Sequence, residues 1–420
     1  MGFVAYYVRN SIVIEMFGDH VMSRLTTEYG EFISQYEGVG KLNDINCSFE
    51  VGQKPDSTII VYCSSKEVFD PDTRLMKLYG SIADGSTIRA DGKVSPLCSL
   101  VTGGDPSKSY CFFRSFAGFR MFVGSLEWSL VTEVRFSIAN FRFSGNDERN
   151  SSNWTSQDSL AVSVGGFDLC FHKKSNYAEV VRDMRVKDAI GITSELIVKV
   201  DGQSMQQVVE FANNICILLS IAAGRSIDWV NMSAFDSNSS LLLRYLQNKR
   251  ISAVSGLDMI DLENSKDLAD FLTQSYPEFK RINPEYEIDR VAFVLGDLRP
   301  HPFLETRALL MYSIVDSFTQ KVSNNESLEA RLKHLLNTFR VSYKNKEANH
   351  FATSRNSIAH KFDFGTSKAR DEYFRNLDLY HRLLLRMLGY DSYYHDFSKS
   401  ANITEPLRQK LKIAKKPVGN

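Results

Sequence analysis

The sequence predicts an α+β protein: an antiparallel β-rich N-terminal domain, sandwich-like in its strand pattern, followed by an all-α C-terminal bundle. Three observations carry this prediction. Before residue 203, short apolar runs alternate with a period near two and are separated by turn-forming stretches. After it, apolar residues recur at steps of three and four. With 420 residues, 43% of them hydrophobic, the chain is too long for one ordinary core and too apolar for wholesale disorder.

In the first half, residues 58–63 (TIIVYC) form a short apolar run suited to a buried strand. Residues 134–138 (VRFSI), 141–143 (FRF), 160–164 (LAVSV) and 167–172 (FDLCFH) alternate, and 196–200 (LIVKV) closes the series. Turn signals lie between them at 83–86, 103–106, 145–147 and 165–166, each with glycine. Residues 80–87 (GSIADGST) are superficially like a phosphate loop, but they lack its lysine and read as a hairpin turn. With no helical run between the strands, residues 1–203 read as a β-rich regulatory or sensor domain.

Ser204 and Gln207 have the spacing of a capping box. Met205, Val208, Ala212, Ile215, Leu219 and Ala222 follow at helical spacing up to Gly224, a natural stop. Residues 241–246 (LLLRYL) look like a short apolar helix, and residues 267–272 like another, ended by Pro277. Together, residues 204–298 form a helical linking region.

Residues 299–398 hold four amphipathic stripes. Leu304, Ala308, Met311, Val315 and Phe318 follow Pro302, and Leu328, Leu332, Leu335 and Phe339 follow a cap at Ser327. Phe351, Ile358 and Phe362 mark the third, and Phe374, Leu377, His381, Leu384 and Leu388 the fourth, closed by Gly389. Four such helices on modest loops make a compact bundle. Residues 399–420, with Arg408, Lys410, Lys412, Lys415 and Lys416, are expected as a basic, flexible tail.

Lys plus Arg equal Asp plus Glu at 50 each, so the whole chain is no general polyanion binder, and phosphate binding needs a local patch. Residues 331–382 supply one, with eleven Lys/Arg against five Asp/Glu. The six cysteines show no C-x-x-C pair and no histidine at zinc-ligand spacing, so they read as buried thiols, and no metal or cofactor is expected. No secretory signal and no uninterrupted apolar run of membrane-spanning length is seen, and the expectation is a cytoplasmic protein without a membrane partner.

Residues 355–360 (RNSIAH) carry the chemistry. Arg355 offers a rigid fork of donors for phosphate, and His360 can give or take a proton near neutrality. Spacing alone is cheap, because chance gives on the order of 0.5 such pairs in this chain. Requiring Asn356 next lowers that to roughly 0.03.

The motif R-N-x-x-x-H in the third helix of a C-terminal bundle resembles the HEPN superfamily. The arrangement of β-rich domain, helical linker and bundle looks like its ApeA-like branch, found among bacterial anti-phage proteins. The resemblance implies a metal-independent endoribonuclease acting in antiviral defence by abortive infection. In it a homodimer brings two Arg-His pairs to one cleft. His360 would be general base or acid, Arg355 would hold the scissile phosphate, and Asn356 would fix the site. Asp316 stands where the branch commonly has Glu. His350 is a possible auxiliary residue, and Lys344, Lys346 and Lys361 are candidate RNA contacts. A trigger of phage origin would act on the β-rich domain.

On an ideal helix, residues five apart differ by about 140° around the axis, so Arg355 and His360 point to nearly opposite sides. Either the helix is broken there, or a second protomer completes the site, or Arg355 is a structural anchor for a non-catalytic protein that binds RNA or a nucleotide and dimerises. His381, on an apolar stripe, reads as a packed structural histidine, and His301 as a loop or cap residue. Trp128, Trp154 and Trp229 read as packing residues.

Overall fold

The computed structural model describes residues 4–8, 11–15, 32–70, 73–98, 107, 109–124, 127–145, 147–151, 154–187, 190–249, 251, 257–297, 303–323, 326–364, 368–398 and 407–414. The expected turn at 103–106 and His301 lie outside these residues. The fold is α+β, with an antiparallel β-rich N-terminal region and a helical C-terminal region.

The chain forms two compact units, and neither is one continuous segment. The first holds residues 1–139, 190–208 and 229–251, the second residues 140–189, 209–228 and 252–420. A boundary at residue 203 therefore does not divide them. Strand pairing crosses long sequence separations, which local periodicity does not report.

The strands of the first unit are β1 (Val4–Val8), β2 (Ser11–Glu15), β3 (Ser34–Leu42), β4 (Ile45–Gln53), β5 (Ile59–Ser65), β6 (Leu75–Ile82), β7 (Thr87–Cys98), β8 (Ser109–Ser115), β9 (Arg120–Gly124) and β10 (Glu133–Ala139). In the second unit lie β11 (Asp147–Ser151), β12 (Trp154–Val164) and β13 (Phe167–Lys173), and the first regains β14 (Ile192–Lys199), β15 (Asp228–Phe235) and β16 (Leu241–Gln247). The β1–β2 hairpin is a separate sheet. The remaining strands of the first unit run in the order β14-β10-β15-β16-β9-β7-β6-β3-β4-β5-β8, and β8 pairs also with β7.

That last pairing closes β7, β6, β3, β4, β5 and β8 into a six-stranded antiparallel barrel. A sandwich and a barrel demand the same alternation, one buried face per strand, so the pattern alone cannot separate them. Closure depends on the long strand β7. Its first part, Ile88 to Asp91, pairs with β9, and its last part, Val94 to Cys98, pairs with β8. Gly92 sits between them at φ 145°, where a Cβ would lie 2.7 Å from the Phe119 Cα. Only glycine fits that approach. Phe49, Val51, Val61, Met76, Leu78, Ile88 and Phe113 fill the barrel, together with the thiols of Cys47, Cys63 and Cys111.

The hairpin reading of residues 80–87 holds: Gly85 turns at φ 85° and Gly85 N–H donates to the Ile82 carbonyl. Residues 241–246 are strand, not helix. The Asp236 carboxylate accepts from the Asn238 and Ser240 backbones at 2.9 and 2.7 Å, folding an Asx turn that lays β16 against β15, with β9 on its other edge. Pairing on both edges overrides the helix preference of four leucines.

In the second unit, α1 (Tyr177–Lys187) is a helix inside the half expected to hold strands only. The capping box opens α2 (Met205–Ala223): Gln207 N–H donates to Ser204 Oγ at 3.3 Å and Ser204 N–H to Gln207 Oε1 at 2.8 Å. Gly224 ends it at φ 55°. α2 is long and apolar enough by length and composition to cross a membrane, but Phe211, Ile215, Leu218, Leu219 and Ile221 are buried in the protein.

α3 (Ser265–Tyr286) runs through both Pro277 and Pro284. An interior proline costs about 3 kcal/mol, whereas each large apolar side chain fully buried returns roughly 1.5–3 kcal/mol. Phe271, Leu272, Phe279 and Ile282 are buried on both sides of Pro277, which offsets the break that the sequence suggests. α4 (Ile288–Asp297), α5 (Leu304–Val322), α6 (Leu328–Thr338), α7 (Asn345–Lys361) and α8 (Ala369–Met387) follow. Ser327 caps α6 by accepting from Ala330 N–H, and Gly389 follows α8 at φ 74°.

The tail is not loose over residues 407–414. β18 (Leu407–Lys410) pairs with β17 (Tyr393–Asp396), Leu411 is buried, and Ala414 N–H donates to the Arg340 carbonyl at 3.0 Å. Arg408 holds the segment by donating Nε and Nη2 to the two oxygens of Asp267 at 2.9 and 2.8 Å. Composition showed the charge of this segment but not its buried partner.

Candidate functional site

α7 is unbroken from Asn345 to Lys361, so a helix break at the motif is excluded. Phe351, Ala352 and Ile358 bury one face of it, and the Phe351 ring meets Tyr312 of α5 edge-on at 4.8 Å. Tyr312 is fixed in turn by Asn376 Nδ2 of α8, which donates to its hydroxyl at 2.8 Å. Burial raises the Tyr312 phenol far above its ordinary range, so it stays neutral.

One turn along α5 from Tyr312 lies Asp316. Its Oδ2 accepts Nε of Arg355 at 3.0 Å and also receives the same guanidinium's Nη2. Its Oδ1 faces Nη2 of Arg331, on α6, at 3.6 Å. One carboxylate thus ties three helices, and two cations face one anion. Arg355 Nη1 donates to the neighbouring Asn356 Oδ1 at 3.3 Å. The Arg355 side chain remains 31% exposed against 14% for Asp316, so part of the fork still faces solvent.

His360 is exposed in the last turn of α7, next to exposed Lys361. The helix stops at Phe362, left-handed at φ 51°, and Ser357 Oγ donates to the Asp363 carbonyl at 2.7 Å beyond it. The structure therefore joins Arg355, Asn356 and Asp316, and sets His360 with Lys361 about one and a half turns further along.

The other candidates lie elsewhere. Lys344 and Lys346 are exposed at the start of α7, at least about 13 Å along the axis from Arg355. Lys344 contributes its backbone N–H to Glu347 Oε2 at 2.6 Å, a cap rather than a site contact. His350 contacts the Glu372 carboxylate of α8, which also faces Arg375 Nη1 at 3.5 Å. His381 is buried and desolvation lowers its pKa to about 3, as a packed neutral histidine requires. Trp229 is fully buried, and Trp128 Nε1 donates to the Gln203 carbonyl at 2.8 Å.

Sequence reading missed Arg331 and Glu372. Arg331 belonged to the local basic excess, but its convergence on Asp316 depends on the packing of α5 against α6. Glu372 meets His350 only because α7 and α8 run side by side, a relation no short spacing encodes.

Residues 129–257 match the family model of the YopA central domain, under a third of the chain and entirely upstream of the Asp316–Arg355 cluster. No curated protein and no solved structure matches the chain.

Proposed function

We propose that this chain is a HEPN-type endoribonuclease of bacterial anti-phage defence, active in the cytoplasm as a homodimer, with helices α5 to α8 as its nuclease bundle. The observation that carries the reading is the clamped Arg355. Asp316 and Asn356 fix its guanidinium while its side chain stays partly exposed, and His360 stands open on the same helix. On an unbroken helix the two side chains diverge by about 140°, so one protomer's Arg355 and the partner copy's corresponding histidine form each site.

In that site Arg355, with Arg331 behind Asp316, holds the scissile phosphate and offsets its growing charge. His360 takes the proton of the ribose 2′-hydroxyl or gives one to the leaving 5′-oxygen. The 2′-oxygen bonds to phosphorus as the bond to the 5′-oxygen breaks, leaving a 2′,3′-cyclic phosphate and a 5′-hydroxyl. DNA, without the 2′-hydroxyl, is not cut by this route. The test is cleavage of single-stranded RNA in EDTA by the purified protein, with Arg355→Ala and His360→Ala. Loss of cleavage in both supports the assignment, and unchanged cleavage in both removes it.

A second reading has its own support. Nε, Nη1 and Nη2 of Arg355 all have protein partners, as expected of an anchor in a non-catalytic bundle that binds RNA or a nucleotide and dimerises. RNA binding with no cleavage products under the same conditions selects it.

A further inference from the structure

We infer that the outer face of the N-terminal barrel is a nucleotide-binding face, taking a phosphate and a stacked base. The barrel register builds it. On the outward side of β6, β3, β4 and β5, Ser81 lies opposite Val39, Val39 opposite Ser48, and Ser48 opposite Ser64. The two serine hydroxyls of β4 and β5 are 2.7 Å apart. One step along the strands a second row runs Arg89, Tyr79, Lys41 and Asn46, again directly opposite one another across β7, β6, β3 and β4. Lys66 extends this row just beyond β5. Apart from Arg89, which lies beyond Tyr79, these two rows line an open trough of about 670 Å³, within the range of small-molecule sites.

The chemistry of the trough is one-sided. Lys41 and Lys66 line it, no carboxylate does, and neither lysine has an ion-pair partner among the described residues. Acids flank it without lining it, at Glu37 and Glu50 in the row on one side, at Asp91 beyond Arg89, and at Asp44, Glu67 and Asp84 in the adjoining turns. Tyr79 is 55% exposed, and the Arg89 guanidinium lies over its ring, 5.3 Å from the centroid. A cation held over an aromatic ring beside free lysines and hydroxyls is the composition of a stacking platform with a phosphate track. The floor is bare backbone: Gly40 and Gly80 face each other, and a Cβ on Gly40 would stand 2.3 Å from the Tyr79 carbonyl oxygen.

The inference does not depend on the nuclease reading, and a DNA probe separates the two, since DNA lacks the hydroxyl that the proposed cleavage requires. Fluorescence anisotropy of a labelled single-stranded DNA oligonucleotide is followed with the full chain, with ATP as competitor. Saturable binding is expected. Tyr79→Ala weakens it about tenfold while Tyr79→Phe, which keeps the ring, does not. The double variant Lys41→Ala/Lys66→Ala flattens the salt dependence, each lost phosphate contact removing about 0.7 from the logarithmic slope. Competition by ATP identifies a free nucleotide as the ligand, and binding that ATP does not displace identifies a strand. All three side chains are exposed, and thermal melting checks that each variant folds. No saturable binding of either probe, or folded variants with parental affinity and salt slope, overturns the inference.

Discussion

Asp316 and Arg355, thirty-nine residues apart in sequence, meet through the guanidinium's Nε and Nη2 on a single carboxylate oxygen. The other oxygen faces Arg331, so removing the carboxylate leaves two guanidinium groups without their shared counter-charge. Asp316→Ala is expected to cost about 2 kcal/mol of stability, the scale of a lost hydrogen bond to a charged group. Urea unfolding measures it, and an unchanged midpoint denies that the cluster braces the three helices.

Arg355 and His360 should separate stability from activity. His360 is exposed and bears no packing, so His360→Ala leaves the urea midpoint unchanged while RNA cleavage falls at least about a hundredfold. Arg355→Ala lowers both. A His360→Ala protein that cleaves normally places the proton transfer elsewhere.

His381 makes a pH prediction with a definite sign. Its folded-state pKa is lowered to about 3, by burial first and by His395 second, against an ordinary value of 6.5. Between those values the unfolded chain binds more protons, so stability falls as pH drops from 6.5 toward 3, by on the order of 4 kcal/mol. Asp378, raised to about 6 by burial, has the opposite slope from about pH 4 to 6. The difference between the parent and His381→Leu isolates the histidine: the variant should lose less stability between pH 7 and pH 4. Parallel curves contradict a neutral buried His381.

Gly40 tests the close approach of β3 and β6. Its Cβ would meet the Tyr79 carbonyl oxygen at 2.3 Å and the Gly80 Cα at 2.6 Å, both backbone atoms that no rotamer change can move. Gly40→Ala is expected to destabilise by about 2 kcal/mol, visible as a lower melting temperature. A variant as stable as the parent implies that the strands lie farther apart.

Arg408 tests the docked tail. The Asp267 side chain is 3% exposed, and Arg408 supplies its two hydrogen bonds from outside α3. Arg408→Ala should make residues 407–414 markedly more sensitive to limited proteolysis, with fragments assigned by mass spectrometry. Equal protection in the variant means that strand pairing alone holds the segment.

The amphipathic stripes of α5 to α7 were legible because each helix buries one face, whereas α8 is buried on all sides from Asn376 to Leu385, and Ser327 and Gly389 mark ends by local chemistry. The Arg355 motif was legible as a motif, and Asp316 as a position. What failed depended on distant partners. Leu241 to Leu246 became strand because β15 and β9 flank it, and Pro277 stays helical because buried side chains on both sides outweigh one missing hydrogen bond. Arg331 and Asp267 find their roles across gaps that no short window covers.

The interleaving of the first unit constrains how this protein can be dissected. A chain cut after residue 203 keeps the barrel and β9, β10 and β14, but loses β15 and β16. These two strands lie between β10 and β9. The fragment would carry two raw sheet edges, rows of unpaired amide and carbonyl groups ready to recruit another chain. Its aggregation would report severed hydrogen-bond ladders rather than an unstable barrel, so a fragment meant to isolate the barrel must retain the polypeptide through Gln247.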